Sequence, residues 1–222
     1  MTEEVIFPLR LSLQVALVAT LLLAACTLPL AYVFARQRFP GRALLDILFS
    51  LPLVLPPSVL GYYLVVALGQ KGFLGSHLFA LTGWTPMFNW WGAVAASMVV
   101  AFPLLFKTAV AALAGVDPAY EQAAHTLGAS PWRTFWRVTL PLAWRGVMAG
   151  VVLAFARALG EFGATLMLAG NIPGRTNTMP LAIYGAFMSG DLERANWLVV
   201  LHTLIAVAVL CLARRAEARS WT

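Results

Sequence analysis

The chain has 222 residues, of which 61% are hydrophobic and 11% charged. A soluble domain carries about 25% charged residues, so this composition excludes a soluble globular protein and indicates a membrane-embedded one. The net charge of +6 does not call for nucleic acid, because cations in such chains sort to the cytoplasmic side.

In chain order, the N-terminus "MTEEVIFPLRLSLQ" begins acidic and has no small-residue cleavage site, so its apolar run is expected to be retained as a span. Five stretches are long enough to cross about 30 Å of hydrocarbon as helix: Leu11 to Phe34, Leu44 to Leu68, Trp91 to Leu113, Leu142 to Ala169, and Trp197 to Ala213. The fold class expected is therefore an all-α polytopic bundle of about five spans, with residues 1–222 as a single transmembrane domain. The segment Met179 to Met188 is too short to span and reads as a re-entrant or interfacial helix. Cys26 and Cys211 lie in apolar runs far apart and read as buried thiols, not a disulfide or a metal pair.

Cation placement orients the chain. Arg36, Arg38 and Arg42, then Lys107, Arg133, Arg137 and Arg145, then Arg214, Arg215 and Arg219 fall on one side of a five-span protein. Arg10, Lys71, Arg175 and Arg194 fall on the other. The N-terminus is expected outside and the C-terminus inside; a sixth span would break this segregation.

The second span contains "LPLVLPPSVLGYY". Pro52, Pro56 and Pro57 remove backbone donors and are expected to kink or break the helix, which is tolerated beside other protein or a water-filled cavity. The bend serves either helix packing or a gate; in the second case Ser58 and Gly61 offer a hydroxyl and close backbone approach. In the fourth span, "LAFARALGEFGATLML" sets Arg157 and Glu161 four residues apart on one helical face. Charges at membrane depth are costly and face the bundle interior, so the pair is either a structural pin or part of a constriction, with Gly160 and Gly163 permitting close approach. Thr165 and Asn171 are further pathway candidates.

The region 117–141 is the most polar part of the chain. Asp117-Pro118 is a helix start with N-cap and N1 residues. Ala119, Ala123 and Leu127 form a small apolar face, and Gly128 is a stop at C′. Ser130-Pro131 starts a second short helix with Trp132, Phe135 and Trp136 on one face, and Leu140-Pro141 is expected to close it. A membrane-surface helix favours more Lys and Arg; a face of alanines suits insertion into a groove of another protein.

This stretch resembles the cytoplasmic coupling loop of ABC importer permeases, whose pattern is E-A-A, three residues, G, nine residues, I, one residue, L-P. Here it reads Gln122-Ala123-Ala124, Gly128, Val138 and Leu140-Pro141. Gln122 stands at the motif's Glu position with Glu121 just before it, so either side chain is a candidate for the polar contact to the partner, and Val138 replaces Ile. With "FPGRALLD", "LPLVLPPSVLGYYLV" and "ARALGEFGATLMLAGNIPGRTNTMPLAIY", nearly the whole chain is similar to the permease subunits of molybdate importers, with sulfate and thiosulfate permeases similar around "GEFG" and "AGNIP". The resemblance implies a type I ABC importer fold with short coupling helices in a bacterial or archaeal cytoplasmic (inner) membrane. It also implies import of molybdate or tungstate, a permease homodimer contacting membrane lipid, two cytoplasmic ABC ATPase subunits, and an external or periplasmic oxyanion-binding protein.

No G-x-x-x-x-G-K-[ST] phosphate loop occurs, so ATP and Mg are expected on partner subunits rather than on this chain. His77, His125 and His202 are scattered, with no metal-ligand spacing and no nucleophile constellation. No catalytic, metal or cofactor site is expected in this chain. A self-sufficient secondary transporter would carry inverted repeats, which are not evident; a non-transporting membrane scaffold is the remaining alternative.

Overall fold

The computed structural model describes the backbone of residues 2–219 and the side chains of residues 4–211. Among them there are helices and no strands. Four helices have the length and apolarity to cross a membrane, and a bent pair makes a fifth crossing if counted as one. α1 (Thr2–Arg36) leads through a short turn into α2 (Arg42–Val54) and α3 (Pro57–Leu68), bent by 117° relative to each other. A short α4 (Gly75–Thr82), which the apolar pattern does not single out, precedes α5 (Trp90–Ala114). The polar knuckle holds α6 (Pro118–Thr126) and α7 (Pro131–Thr134). Then come α8 (Leu140–Leu159), α9 (Gly163–Ala169), α10 (Met179–Met188) and α11 (Leu192–Arg219). The side chains of Arg214, Arg215 and Arg219 lie outside the described residues.

The core is a long contact of α1, α5 and α8. In a membrane, lipid removes the hydrophobic drive between helices, so packing rests on small residues that let backbones approach. α5 buries Ala93, Ala96, Ser97, Ala101 and Ala109, and α8 buries Ala143, Val147, Gly150, Ala154 and Ala158 at three- and four-residue spacing. A Cβ added at Gly146 would lie 2.5 Å from that of Ala112, so the two helices touch there. At one end the small residues give way to rings: Phe34 meets Phe39, Phe49 and Phe106 with centroids 5.0–5.7 Å apart.

Two expectations need correction. The fourth span is not one continuous helix, because α8 stops at Leu159 and α9 starts at Gly163. It nonetheless continues in one direction. Leu159 shares a cluster with Ala101 and Leu105, Ala164 with Ala96 and Val100, and Ala169 with Ala93 and Val94. The chain thus climbs towards the N-terminal end of α5 on both sides of the break, which lies near the middle of the bundle. The cysteines are also not buried: Cys26 and Cys211 are both free and exposed on the chain's surface. Apolar runs in a membrane protein are satisfied by lipid as well as by a core, so hydrophobic neighbours in sequence do not imply burial.

The cations divide between two ends. Arg36 and Lys107 lie towards the C-terminal ends of α1 and α5, where the knuckle also sits. Arg10 and Arg194 line a cavity at the opposite end. α10 is short as expected, and buries Met179, Leu181, Ala182 and Ala186. α2 buries none of its residues in the chain.

Candidate functional site

Two helix breaks meet in the middle of the bundle. In the first, Pro56 adopts an extended conformation (φ −55°, ψ 140°) as N-cap of α3, and Pro57 occupies N1. A proline is welcome at N1 because that amide has no intrahelical partner, and its presence forbids continuation from α2. The second break runs through Gly160, Glu161 and Phe162. A Cβ added at Gly163 would meet Pro57 Cβ at 3.0 Å and Ser58 N at 3.3 Å. One added at Gly61 would meet Ala164 Cα at 2.9 Å and Met167 Cβ at 2.8 Å. Glycine at 61 and 163 therefore seats α3 directly on α9, break against break.

Glu161 is not on a helical face beside Arg157, as its four-residue spacing suggests, because it sits in the break itself. Its Oε1 accepts a hydrogen bond from Ala164 N at 2.8 Å, capping an orphan amide of α9. Its other oxygen, Oε2, is 2.8 Å from Arg157 Nη1. The carboxylate side chain is 1% exposed and the arginine 32%. The pair forms even though the helix does not continue, since the break keeps the next residues close to the last turn of α8. The carboxylate thus accepts from the backbone through one oxygen and meets the guanidinium as an ion pair, without a hydrogen bond, through the other.

The remaining pathway candidates divide. Ser58 and Pro56 are exposed at this break and Pro57 is half-buried. Thr165 is 1% exposed, turned into the packing rather than towards an opening. Asn171 is elsewhere: it lines a cavity of about 930 Å³ with Glu4, Arg10, Asn177 and Arg194. There it donates to Leu181 O at 3.1 Å and accepts from Asn177 Nδ2 at 2.5 Å. The structure therefore joins Pro56, Pro57, Ser58, Gly61, Arg157 and Glu161 into one locus, with Thr165 buried beside it on α9, and leaves Asn171 outside it.

The knuckle is built from local caps. Asp117 accepts from Ala119 N at 2.9 Å, and Ser130 accepts from Arg133 N at 3.4 Å. Gly128 takes φ +80°. The amides of Gly128 and Ala129 close back onto His125 O and Ala124 O at 2.9 and 3.0 Å, the double closure of a Schellman stop. The second helix, however, is not closed by Leu140-Pro141. α7 passes through a π-helical turn, Phe135–Thr139, straight into α8. Leu140 N bonds to Phe135 O five residues back. The wider turn gives the Pro141 ring the room that a tight α-turn denies it.

Side-chain directions in the knuckle separate two neighbours that the motif leaves ambiguous. Glu121 is buried, and its Oε1 accepts from Arg36 Nε at 3.0 Å and Thr139 Oγ1 at 2.6 Å. Gln122 and Ala123 are exposed and Ala124 half-exposed. Ala119 is exposed and Leu127 is 88% exposed, so the small apolar face is free of this chain. In the second helix Phe135 turns inward onto Tyr32, with centroids 5.0 Å apart. Trp132 and Trp136 stay outside, so the expected three-ring face is divided. Leu140 is buried and Pro141 exposed. Sequence reasoning missed the pair of Lys107 Nζ with Asp46 Oδ2 at 2.5 Å, which links α5 to α2; its available signal was that Asp46 is the one acidic residue of the second span.

The family described as "Binding-protein-dependent transport system inner membrane component" matches residues 27–216. The molybdenum transport system permease protein ModB of Escherichia coli strain K12 is 46% identical over 90% of this chain and 88% of its own length. That of Haemophilus influenzae is 45% identical over 89% and 86%. The sulfate transport system permease protein CysW of Synechocystis is 37% identical over 96% of this chain and 76% of its own. In fold, the chain is similar to a chain of a bacterial ABC transporter that imports alginate, with TM-score 0.79, 16% identity, and 99% and 80% coverage. An inward-facing MetNI methionine ABC transporter gives TM-score 0.71 at 16% identity, with 98% and 96% coverage.

Proposed function

The chain belongs to the family of binding-protein-dependent transport system inner membrane components, and from this we propose that it is the permease subunit of an ATP-driven importer of molybdate or tungstate. The observation that carries the cargo is identity: 43–46% to three molybdenum permeases against 37–39% to two sulfate permeases, although a further molybdenum permease stands at 34%. Both cargoes are tetrahedral dianions, so the same path chemistry serves either.

In this reading the protein is a multi-pass component of the inner membrane that hydrolyses no ATP itself. Two ATPase subunits bind at the knuckle, an external binding protein delivers the anion at the other end, and two permease copies in lipid enclose the path. Support for a second copy comes from α2, which has no fully buried residue in its own chain, and from Lys107 and Asp46, whose side chains are 40% and 46% exposed. Charges on a spanning helix belong against protein or water rather than lipid. The cation-rich end with the knuckle is cytoplasmic and the N-terminus outside.

The exposed face of Ala119, Gln122, Ala123 and Leu127 enters a groove of the ATPase, with Gln122 supplying the polar contact. Closure of the ATPases moves the knuckle, and the bundle alternates between inward- and outward-open states about the meeting of the two breaks. There Ser58 offers a hydroxyl to the anion, and Arg157 a charge that Glu161 neutralises, so the locus attracts the dianion without trapping it. The test is ATPase activity and uptake in the complex reconstituted with its ATPase and binding protein, comparing molybdate with sulfate. Stimulation by molybdate at concentrations where sulfate is inert is expected; stimulation by sulfate alone would move the chain to the sulfate branch.

A further inference from the structure

At the inner end of the bundle, one carboxylate oxygen ties together three elements, and its arginine partner reaches the link to a fourth. Glu121 of α6 accepts from Arg36 Nε at 3.0 Å, and Arg36 Nη2 lies 2.9 Å from the same oxygen. Thr139 of the π-helical turn donates to that oxygen at 2.6 Å. Arg36 Nη2 also donates to Val116 O at 3.0 Å, in the link between α5 and α6. Arg36 closes the last turn of α1, and the π-helical turn runs directly into α8. The arginine and glutamate side chains are 14% and 11% exposed, so the junction is largely shielded from solvent, where charge-assisted bonds are strong and their loss is costly.

We propose that Glu121 is the positioning residue of the knuckle, the point through which movement of α6 is passed to α1 and α8, and not a contact to the ATPase. The inference rests on the permease reading above. On a helix of 3.6 residues per turn, Ala119 and Ala123 lie opposite Glu121, with Gln122 and Leu127 flanking them. Fixing Glu121 inward therefore fixes the exposed face outward. Among the described residues, the side-chain hydrogen bonds from α6 to α1 and to the π-helical turn converge on this oxygen. The cluster of Phe34, Phe106, Leu113, Val116, Phe135 and Leu140 lies beneath it but includes no residue of α6. A helix so attached moves with α1 and α8 while the ionic junction holds and swings on its own when it does not.

The experiment uses the whole complex of permease, ATPase and binding protein with molybdate, carrying Glu121→Gln, Arg36→Gln, both together, or Thr139→Val. Two quantities are read: ATPase co-purified per permease, and molybdate transported per ATP hydrolysed. Expected are wild-type association for all four and transport per ATP down about tenfold in each single charge variant, the factor carried by one charge-assisted hydrogen bond. The double variant should be no worse than either single one, because both break the same junction. Thr139→Val should show a smaller loss in the same direction. Loss of association with Glu121→Gln but not with Arg36→Gln would overturn the proposal by making Glu121 a partner contact. Unchanged transport per ATP would overturn it too, as would loss of all four variants from the membrane, including the mild Thr139→Val, since the junction would then serve folding alone. A wild-type permease that binds no ATPase would refute the underlying permease reading, an outcome visible before any variant is made.

Discussion

Replacing Glu161 with glutamine isolates the charge at the centre of the bundle. The amide oxygen can still accept from Ala164 N, which now bonds Oε1 at 2.8 Å. The amide nitrogen, however, replaces Oε2 and faces Arg157 Nη1, 2.8 Å away, donor against donor. Removing one partner of a buried ion pair costs about 3–5 kcal/mol because a charge is stranded. Arg157 is 32% exposed and can recover some solvation, so Glu161→Gln should cost about 3 kcal/mol, the lower end of that range. Arg157→Leu strands a carboxylate that is 1% exposed and should cost more, about 4 kcal/mol. The double variant removes both charges and should lie within about 1 kcal/mol of the wild type, whereas independent sites would sum to about 7 kcal/mol. The assay is reversible unfolding in mixed micelles titrated with SDS, followed by tryptophan fluorescence. Additive losses would refute the coupling and with it the account of Glu161 as cap and counter-ion together.

Gly128 stands at φ +80° with nothing within 4 Å of an added Cβ, so Gly128→Val should act through backbone strain of about 1–2 kcal/mol. Normal permease abundance with lost uptake and lost anion-stimulated ATP hydrolysis is expected; full uptake would show that the knuckle does not couple, and disappearance from the membrane would make its role folding. Gly61→Ala should push α3 off α9, since its Cβ would lie 2.9 Å from Ala164 Cα; overpacking of this kind costs about 1–3 kcal/mol, read by the same SDS titration, and an unchanged midpoint would deny the close approach. Cysteine at Gln37 should react only with reagents applied from the cytoplasmic side, and cysteine at Ser76 only from outside. Reversed labelling would invert the bundle.

What the sequence made legible was what is settled locally. Asp117-Pro118, Gly128 and Ser130-Pro131 each act within a turn, and each does in the structure what its chemistry dictates. The break at Pro56 was legible for the same reason. The break at Gly160 was not, because the hydrophobic pattern runs on through it and a four-residue Arg–Glu spacing imitates a helical pair. Its cause is a side chain capping the next helix, Glu161 onto Ala164, which a periodicity cannot register. Nor could Glu121 be told from Gln122 by motif alone, since what turns it inward is Arg36, 85 residues earlier. Exposure of Cys26 and Cys211 was hidden because apolar side chains suit lipid and core alike.

The π-helical turn at Phe135–Thr139 has a mechanical consequence. By absorbing Pro141 without a loop, it leaves Pro131–Leu159 as one unbroken run of 29 residues, a rod about 43 Å long at 1.5 Å per residue. Such a rod is a lever arm with its handle beside the knuckle and its tip at Leu159, next to the carboxylate of the break. A tilt of about 5° displaces the tip by about 4 Å over that length, more than the 2.8 Å that now separates Arg157 from Glu161. A small rotation imposed at one surface would therefore suffice to remake contacts at the centre.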